Sequence, residues 1–305
     1  MASINRATST QHRPPTRDVA TAAAALMSLA LMPLSAWANA SSQWHTPRSE
    51  QITQLGPWLL AGMLGLIALF IVLRGRVELD AKRSRSTIAR WSLFDRALHW
   101  YTAGLFIVLA LTGLGLLYGP ALLIPYIGEE RFTLYADGVA TLHDYLGPFF
   151  AAGLVLELGK WLGHNLPRAA DVVWLLRGGG YIGSAHSSAW RMNTGEKLWF
   201  WLVFWLGLAT VGAGLMLSYP DYGQSRTAML IAYMVHLAGG ITLSGVALGH
   251  IYLGLYGTEG ALQGMTTGRV DAEWAKQHHD LWYRRLLAEG ERPLALPPDN
   301  ASSQR

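Results

Sequence analysis

Four histidines of this 305-residue chain stand in segments that carry little else able to ionise: His99, His143, His236 and His250. The last two share one apolar run, Met229 to Tyr256, and are fourteen residues apart. At 3.6 residues per turn that interval is close to four whole turns, so both imidazoles leave one helix face, roughly 21 Å apart along the axis. A helix that clasps one metal ion spaces its histidines three or four residues apart. The wider interval implies two ligand sites, one near each surface of a hydrocarbon layer about 30 Å thick. Neutral imidazole is a good axial ligand for haem iron, and two per iron leave no open position, which favours electron transfer over oxygen chemistry. Two stacked haems fit the spacing.

The elements that must hold these side chains are apolar runs at about 55–73, 97–118, 143–162, 197–218 and 229–256, each long enough to cross a bilayer as a helix. In lipid the backbone must satisfy its own polar groups, so helices are the default. Composition agrees: 51% of residues are hydrophobic and 14% charged, and the charges gather in short clusters between long uncharged stretches. The net charge of +4 sits mainly beside the spans, so it is read as membrane topology and not as nucleic-acid affinity. Cysteine is absent, which excludes iron–sulfur clusters, covalently attached haem and disulfides here. Any thiolate-bound redox centre must therefore belong to a partner. Trp58, Trp91, Trp100, Tyr118, Trp161, Trp199, Tyr219 and Tyr256 flank the apolar runs, either as interfacial belts or as packing aromatics.

Loop charge sets the orientation. Residues 74–96 hold Arg74, Arg76, Lys82, Arg83, Arg85, Arg90 and Arg96, and the stretch around 163–196 holds Arg168, Arg177 and Arg191. Between them comes a loop with Glu129, Glu130, Arg131 and Asp137. The two basic loops are expected in the cytoplasm and the mixed one outside. His99 then lies at the inner edge of the second span and His143 at the outer edge of the third, while the fifth runs inward from His236 to His250. Level pairs with level: His143 with His236 for an outer haem, His99 with His250 for an inner one. An isolated interfacial histidine bonded to a carbonyl is the rival reading for each, but four at matched depths favour ligation.

Arg96, three residues before His99, either neutralises a haem propionate or anchors the span at the basic surface. Gly113, Gly214, Gly239, Gly245 and further span glycines allow close approach of a flat macrocycle or of another helix. His12, His45, His164 and His186 lie in polar segments, and nothing in sequence completes a metal site around His278-His279. Gly178-Gly179-Gly180 lacks the strand and Lys-Ser/Thr of a phosphate loop and reads as a turn. Residues 1–40 read as a secretory signal peptide, with arginines, an apolar run from Val19 to Leu34 and Ala36-Trp37-Ala38-Asn39-Ala40 for cleavage; an uncleaved span is the alternative. Residues 41–54 are expected to form a periplasmic tail, 55–73 an extra transmembrane helix, 90–260 the haem-binding domain and 261–305 a cytoplasmic tail. An amphipathic helix is expected around Asp271 to Leu287, with disorder from Pro293.

The sequence resembles the cytochrome b (gamma) subunit of membrane-bound respiratory formate dehydrogenase over about residues 90–290. The likeness rests on Arg96-Ala97-Leu98-His99-Trp100, Leu142-His143-Asp144, Arg191-Met192-Asn193-Thr194-Gly195, Val235-His236-Leu237 and Gly249-His250-Ile251-Tyr252. Most specific are Gly257-Thr258-Glu259-Gly260-Ala261 and Glu273-Trp274-Ala275-Lys276-Gln277-His278-His279. The histidine pattern alone is shared with cytochrome b subunits of nickel–iron hydrogenase and thiosulfate reductase. The resemblance implies two b-type haems, an iron–sulfur beta subunit that delivers electrons, and a molybdenum- or tungsten-containing alpha subunit that oxidises formate. It also implies quinone reduction on the cytoplasmic side, beside His250 and a loop asparagine that maps to Asn193. The chain is expected to be an all-α protein of the bacterial inner membrane: a four-helix transmembrane di-haem bundle plus an extra N-terminal transmembrane helix, in contact with lipid and not with nucleic acid. Three rivals remain: the same module serving a hydrogenase, a non-redox membrane anchor, and a transporter, for which neither paired interrupted helices nor internal symmetry is visible.

Overall fold

The computed structural model describes residues 46–180 and 187–295. The signal-like segment 1–40, His12, His45 and His186 lie outside the described residues. Among the described residues five helices are long and apolar enough to cross a membrane, so this is a multi-pass membrane protein. They are α1 (Pro47–Leu73), α2 (Leu93–Ile127), α3 (Glu129–Trp161), a span formed by α5 (Thr194–Leu202) and α6 (Leu208–Ser218) joined through a π turn at Val203–Gly207, and α7 (Arg226–Tyr252). A short helix, α4 (Ala169–Leu176), lies between α3 and α5.

Local sequence explains where each begins. Thr46 with Ser49, Ser92 with Asp95 and Asn193 with Glu196 form reciprocal capping boxes, and Ser225 caps α7 through the amide of Ala228. Each satisfies amide groups that have no partner within the first helical turn. The first helix starts at Pro47, within the stretch expected to be a tail, because Thr46 and Pro47 supply a cap and a pre-set φ. A larger difference concerns the expected outer loop between the second and third spans. It is helical almost throughout: α2 and α3 meet at Gly128 alone, whose φ of +80° a side chain would resist. At 35 and 33 residues they run about 50 Å each, well past the hydrocarbon thickness.

Helix α7 is the centre of the bundle. It packs on α6 and on α2, while α3 packs on α2 and α6, and these close the ring; α1 lies against the outer side of α7. The outer contact is close because Gly245 faces Leu59: a Cβ there would stand 2.5 Å from Leu59 Cδ2. Tyr118 of α2 clasps the same helix by donating its hydroxyl to the Thr53 carbonyl at 2.9 Å. Much apolar surface faces outward, including Val72 at 81%, Trp58 at 77% and Leu111 at 65% exposure. A bilayer accommodates such surface, which water would not. The interfacial aromatics divide: Trp58 and Trp100 are exposed, whereas Trp91 and Trp161 pack together at 5.2 Å in a core with Leu154, Leu158, Met192 and Phe200.

Beyond the bundle, residues 74–92 and 258–295 fold together. Strand β1 (Ser86–Ala89) pairs antiparallel with β2 (Arg269–Asp271) on one side and β3 (Leu294–Ala295) on the other. So the segment from Pro293, expected to be disordered, opens with a strand; residues 296–305 lie outside the described residues. The expected amphipathic helix is two helices, α9 (Ala272–His278) and α10 (Asp280–Ala288), broken at His279, while α8 (Ala261–Thr267) precedes β2. Ile88, Val270, Trp274, Ala275 and Trp282 form the core of this unit.

Candidate functional site

The four histidines come together two by two. The ring centroids of His143 (α3) and His236 (α7) are 5.9 Å apart, and those of His99 (α2) and His250 (α7) are 6.3 Å apart. Both pairs have the membership expected from membrane depth, and α7 contributes one ring to each. Metal–imidazole bonds of about 2 Å on either side of one ion, plus the half-widths of two rings, come to about 6 Å. The spacing therefore suits two imidazoles on opposite faces of a single iron. Among the described residues no three His, Cys, Asp or Glu cluster as they would around a bare metal ion. Two protein ligands per site is the donor set that a macrocycle completes.

Three of the four ring nitrogens nearer the backbone are engaged. His236 Nδ1 donates to the Thr210 carbonyl at 2.9 Å, and His143 Nδ1 lies 2.8 Å from Thr112 Oγ1, whose own hydroxyl donates to the Val108 carbonyl. His99 Nδ1 lies 3.3 Å from the Glu157 carboxylate. A proton held on Nδ1 leaves the Nε2 lone pair free for a metal, and this is how ligating histidines are commonly oriented. His250 is fixed differently: its ring stacks on Trp199 of α5 with centroids at 4.6 Å and planes 6° apart. Glycines face the outer pair. A Cβ on Gly214 would stand 2.8 Å from the His236 ring, and one on Gly113 3.2 Å from His143.

Asn193 and Arg96 have structural partners. Asn193 caps α5, accepting from the Glu196 amide at 2.9 Å, while Glu196 accepts from the Asn193 amide at 2.8 Å. Through α5 it is tied to Trp199 and hence to His250. Arg96 donates to the Thr266 carbonyl at 2.5 Å, and Trp100 to the Met265 carbonyl at 3.0 Å, so the start of α2 covers the unpaired carbonyls at the end of α8. The Arg96 Nε is buried without a hydrogen-bond partner.

The remaining motifs resolve into structure. His279 is fully buried, donating from Nδ1 to the Trp190 carbonyl at 2.7 Å, and burial, reinforced by the nearby Arg90 charge, pushes it down to about 3. It is a neutral packing histidine between Trp274 and Trp282. Gly178 and Gly179 take positive φ in a tight turn, with the Trp174 ring against Gly179. Lys197, 5% exposed, is paired with Asp171 at 2.7 Å. Burial works against the Asp171 charge, but the Lys197 ammonium and the Arg168 amide outweigh it and lower that carboxyl below its ordinary value.

All of these candidate ligands fall within one family match. The model of the prokaryotic cytochrome b561 family covers residues 90–268. The chain belongs to that family. Cytochrome b561 membership implies b-type haem, which the paired imidazoles suit. The chain is also similar to the cytochrome b556(Fdn) subunit of the nitrate-inducible formate dehydrogenase of Escherichia coli K12, 28% identical over 208 residues, which are 65% of this chain and 91% of that protein. The cytochrome b556(fdo) subunit of formate dehydrogenase from the same strain is 27% identical over 215 residues, 69% and 98% of the two chains. The corresponding formate dehydrogenase cytochrome b556 subunit of Haemophilus influenzae is 28% identical over 210 residues, 65% and 84%.

Sequence reasoning missed Glu157. Its signal was present, an acidic residue inside an apolar run fourteen residues after His143, and the same four-turn argument places it at the depth of His99.

Proposed function

We propose that this chain is the di-haem cytochrome b subunit of a formate dehydrogenase, which anchors the complex and passes electrons across the membrane to quinone. The pairing of the four histidines, with three of the Nδ1 atoms engaged by acceptors, carries this reading. His143 and His236 are assigned as axial ligands of an outer haem, and His99 and His250 of an inner one. When bound, b-type haem supplies one-electron iron chemistry at a potential tuned by its ligands and surroundings. The chain's own part would be to hold each haem between two imidazoles, His143 with His236 and His99 with His250, and to surround the sites with apolar helices. Thr112, Thr210 and Trp199 hold the rings in place.

The basic loops support a cytoplasmic C-terminus and an exterior N-terminus reached by signal cleavage. An iron–sulfur subunit and a molybdenum or tungsten formate-oxidising subunit are assigned as partners, in keeping with the similarity to cytochrome b556 subunits of formate dehydrogenases. Asn193 and His250 are assigned to the quinone site, and Arg96 to a haem propionate. Electrons moving inward with proton uptake from the cytoplasm store about 2.3 kcal/mol per charge per 100 mV.

The test is haem content and reducibility in purified complex. His143→Ala is expected to lose the outer haem and formate-dependent reduction of the remaining one, and His250→Ala to lose the inner haem and quinone reduction. Two haems retained in both variants refutes the assignment. Native membranes reduced by hydrogen but not by formate would replace the partner with a hydrogenase, and a colourless preparation would leave only a non-redox anchor.

A further inference from the structure

The two histidine pairs differ in what stands behind them. The outer pair bonds to neutral acceptors, a threonine hydroxyl and a backbone carbonyl. Behind His99 stands a carboxylate, Glu157 Oε1, 3.3 Å from Nδ1. Glu157 lies in the membrane-crossing part of α3 and is only 12% exposed, with His99 at 21%. A carboxylate there is expensive unless something uses its charge. The nearby cation, Lys160, is directed elsewhere, to Asp95 at 3.3 Å.

We propose that Glu157 is a positioning residue for the inner haem, accepting the Nδ1 proton of His99 so that this ligand donates more electron density to the metal than either outer ligand does. This rests on His99 being an axial ligand, as assigned above. A carboxylate acceptor raises the basicity of a metal-bound imidazole and fixes its ring orientation. A more basic ligand favours ferric over ferrous iron, so Glu157 holds the inner potential below the value a neutral acceptor would give. The device is specific to one side of the membrane, because the outer pair has no carboxylate within hydrogen-bonding distance of the ring nitrogens described above.

The experiment is a spectroelectrochemical titration of the purified complex, with the inner haem identified as the signal missing from His250→Ala. Glu157→Gln keeps the shape and a neutral acceptor but loses the charge; Glu157→Leu removes the acceptor. Both are expected to shift the inner haem's reduction equilibrium toward the ferrous form, by about tenfold for Leu, which is 59 mV for one electron. Gln should move it less, and the outer haem should stay in place. Thr112→Val, the matching change behind His143, should move only the outer haem. Two haems with an unmoved inner potential in both Glu157 variants would overturn the proposal while leaving the haem assignment standing, as would equal shifts of both haems. A wild-type complex lacking two haems would overturn both. If Glu157→Gln sheds the inner haem, Glu157→Asp decides: haem retained near the native potential supports the role, and haem lost again overturns it.

Discussion

Replacing Gly214 with alanine tests how closely the helices are fitted around the outer pair. The added Cβ would stand 2.8 Å from His236 Cε1 and Nδ1, closer than carbon and nitrogen tolerate, and the ring would have to leave its 2.9 Å bond to the Thr210 carbonyl. Overpacking costs about 1–3 kcal/mol, and the lost hydrogen bond about 1 kcal/mol. Alanine returns about 1 kcal/mol of helix propensity. The net is about 2 kcal/mol against the observed position of the His236 ring, which on the haem assignment proposed above is about thirtyfold weaker haem association. Gly212, two residues earlier on α6, is the control, because nothing lies within 4 Å of its Cβ position. Gly113→Ala, at 3.2 Å from His143, should fall between the two. The assay is haem per protein in the purified complex under competition with a haem-scavenging protein, with the outer signal followed separately. Equal haem retention in Gly214→Ala and Gly212→Ala would refute the claim that this helix face is shaped around the imidazole.

Other changes have distinct readouts. Trp199→Ala removes the ring stacked on His250, a contact worth about 0.5–1.5 kcal/mol, so inner-haem retention should drop two- to tenfold with the outer haem intact. Lys197→Met strands Asp171 in a largely buried site and should destabilise the α4–α5 junction by about 3 kcal/mol, seen as earlier thermal unfolding; an unchanged transition would show the pair to be dispensable. The extramembrane unit should loosen in acid through His279. Its folded value, about 3, lies below the ordinary 6.5, so the unfolded chain takes the proton first and stability is lost as pH falls from about 6.5 toward 3. The slope from this group is at most about 1.4 kcal/mol per pH unit. Amide exchange of α9 and α10 at pH 7 and pH 5 measures it, and His279→Gln should flatten the dependence.

How much was legible in the sequence follows from the range of each interaction. Span number and the 236/250 interval were visible because apolar run length and the 3.6-residue period are local properties. The pairing of level with level also followed, since topology converts depth into proximity. Helix ends were misjudged where local signals and helicity part company: Gly119, Pro120 and Pro125, then the charges at Glu129, Glu130, Arg131 and Asp137, interrupt the apolar pattern, yet residues 119–142 continue α2 and α3 as helix apart from Gly128. The sheet was invisible because β1, β2 and β3 are four, three and two residues long, and β1 is paired with segments far along the chain, Thr87 with Asp271 and with Leu294. Glu157 went unread because its meaning depends on a ring on another helix. Trp91 and Trp161 fitted an interfacial belt and a packing role equally well in sequence, and their packing against Met192 and Phe200 is a tertiary fact.

Since α7, the fifth span among the described residues, supplies one imidazole to each pair, neither pair is complete until that span has been made. On the haem assignment proposed above, neither site could take up its cofactor before the earlier spans are in place and α7 has joined them. A chain stopped anywhere before residue 236 would lack one imidazole of each pair at once.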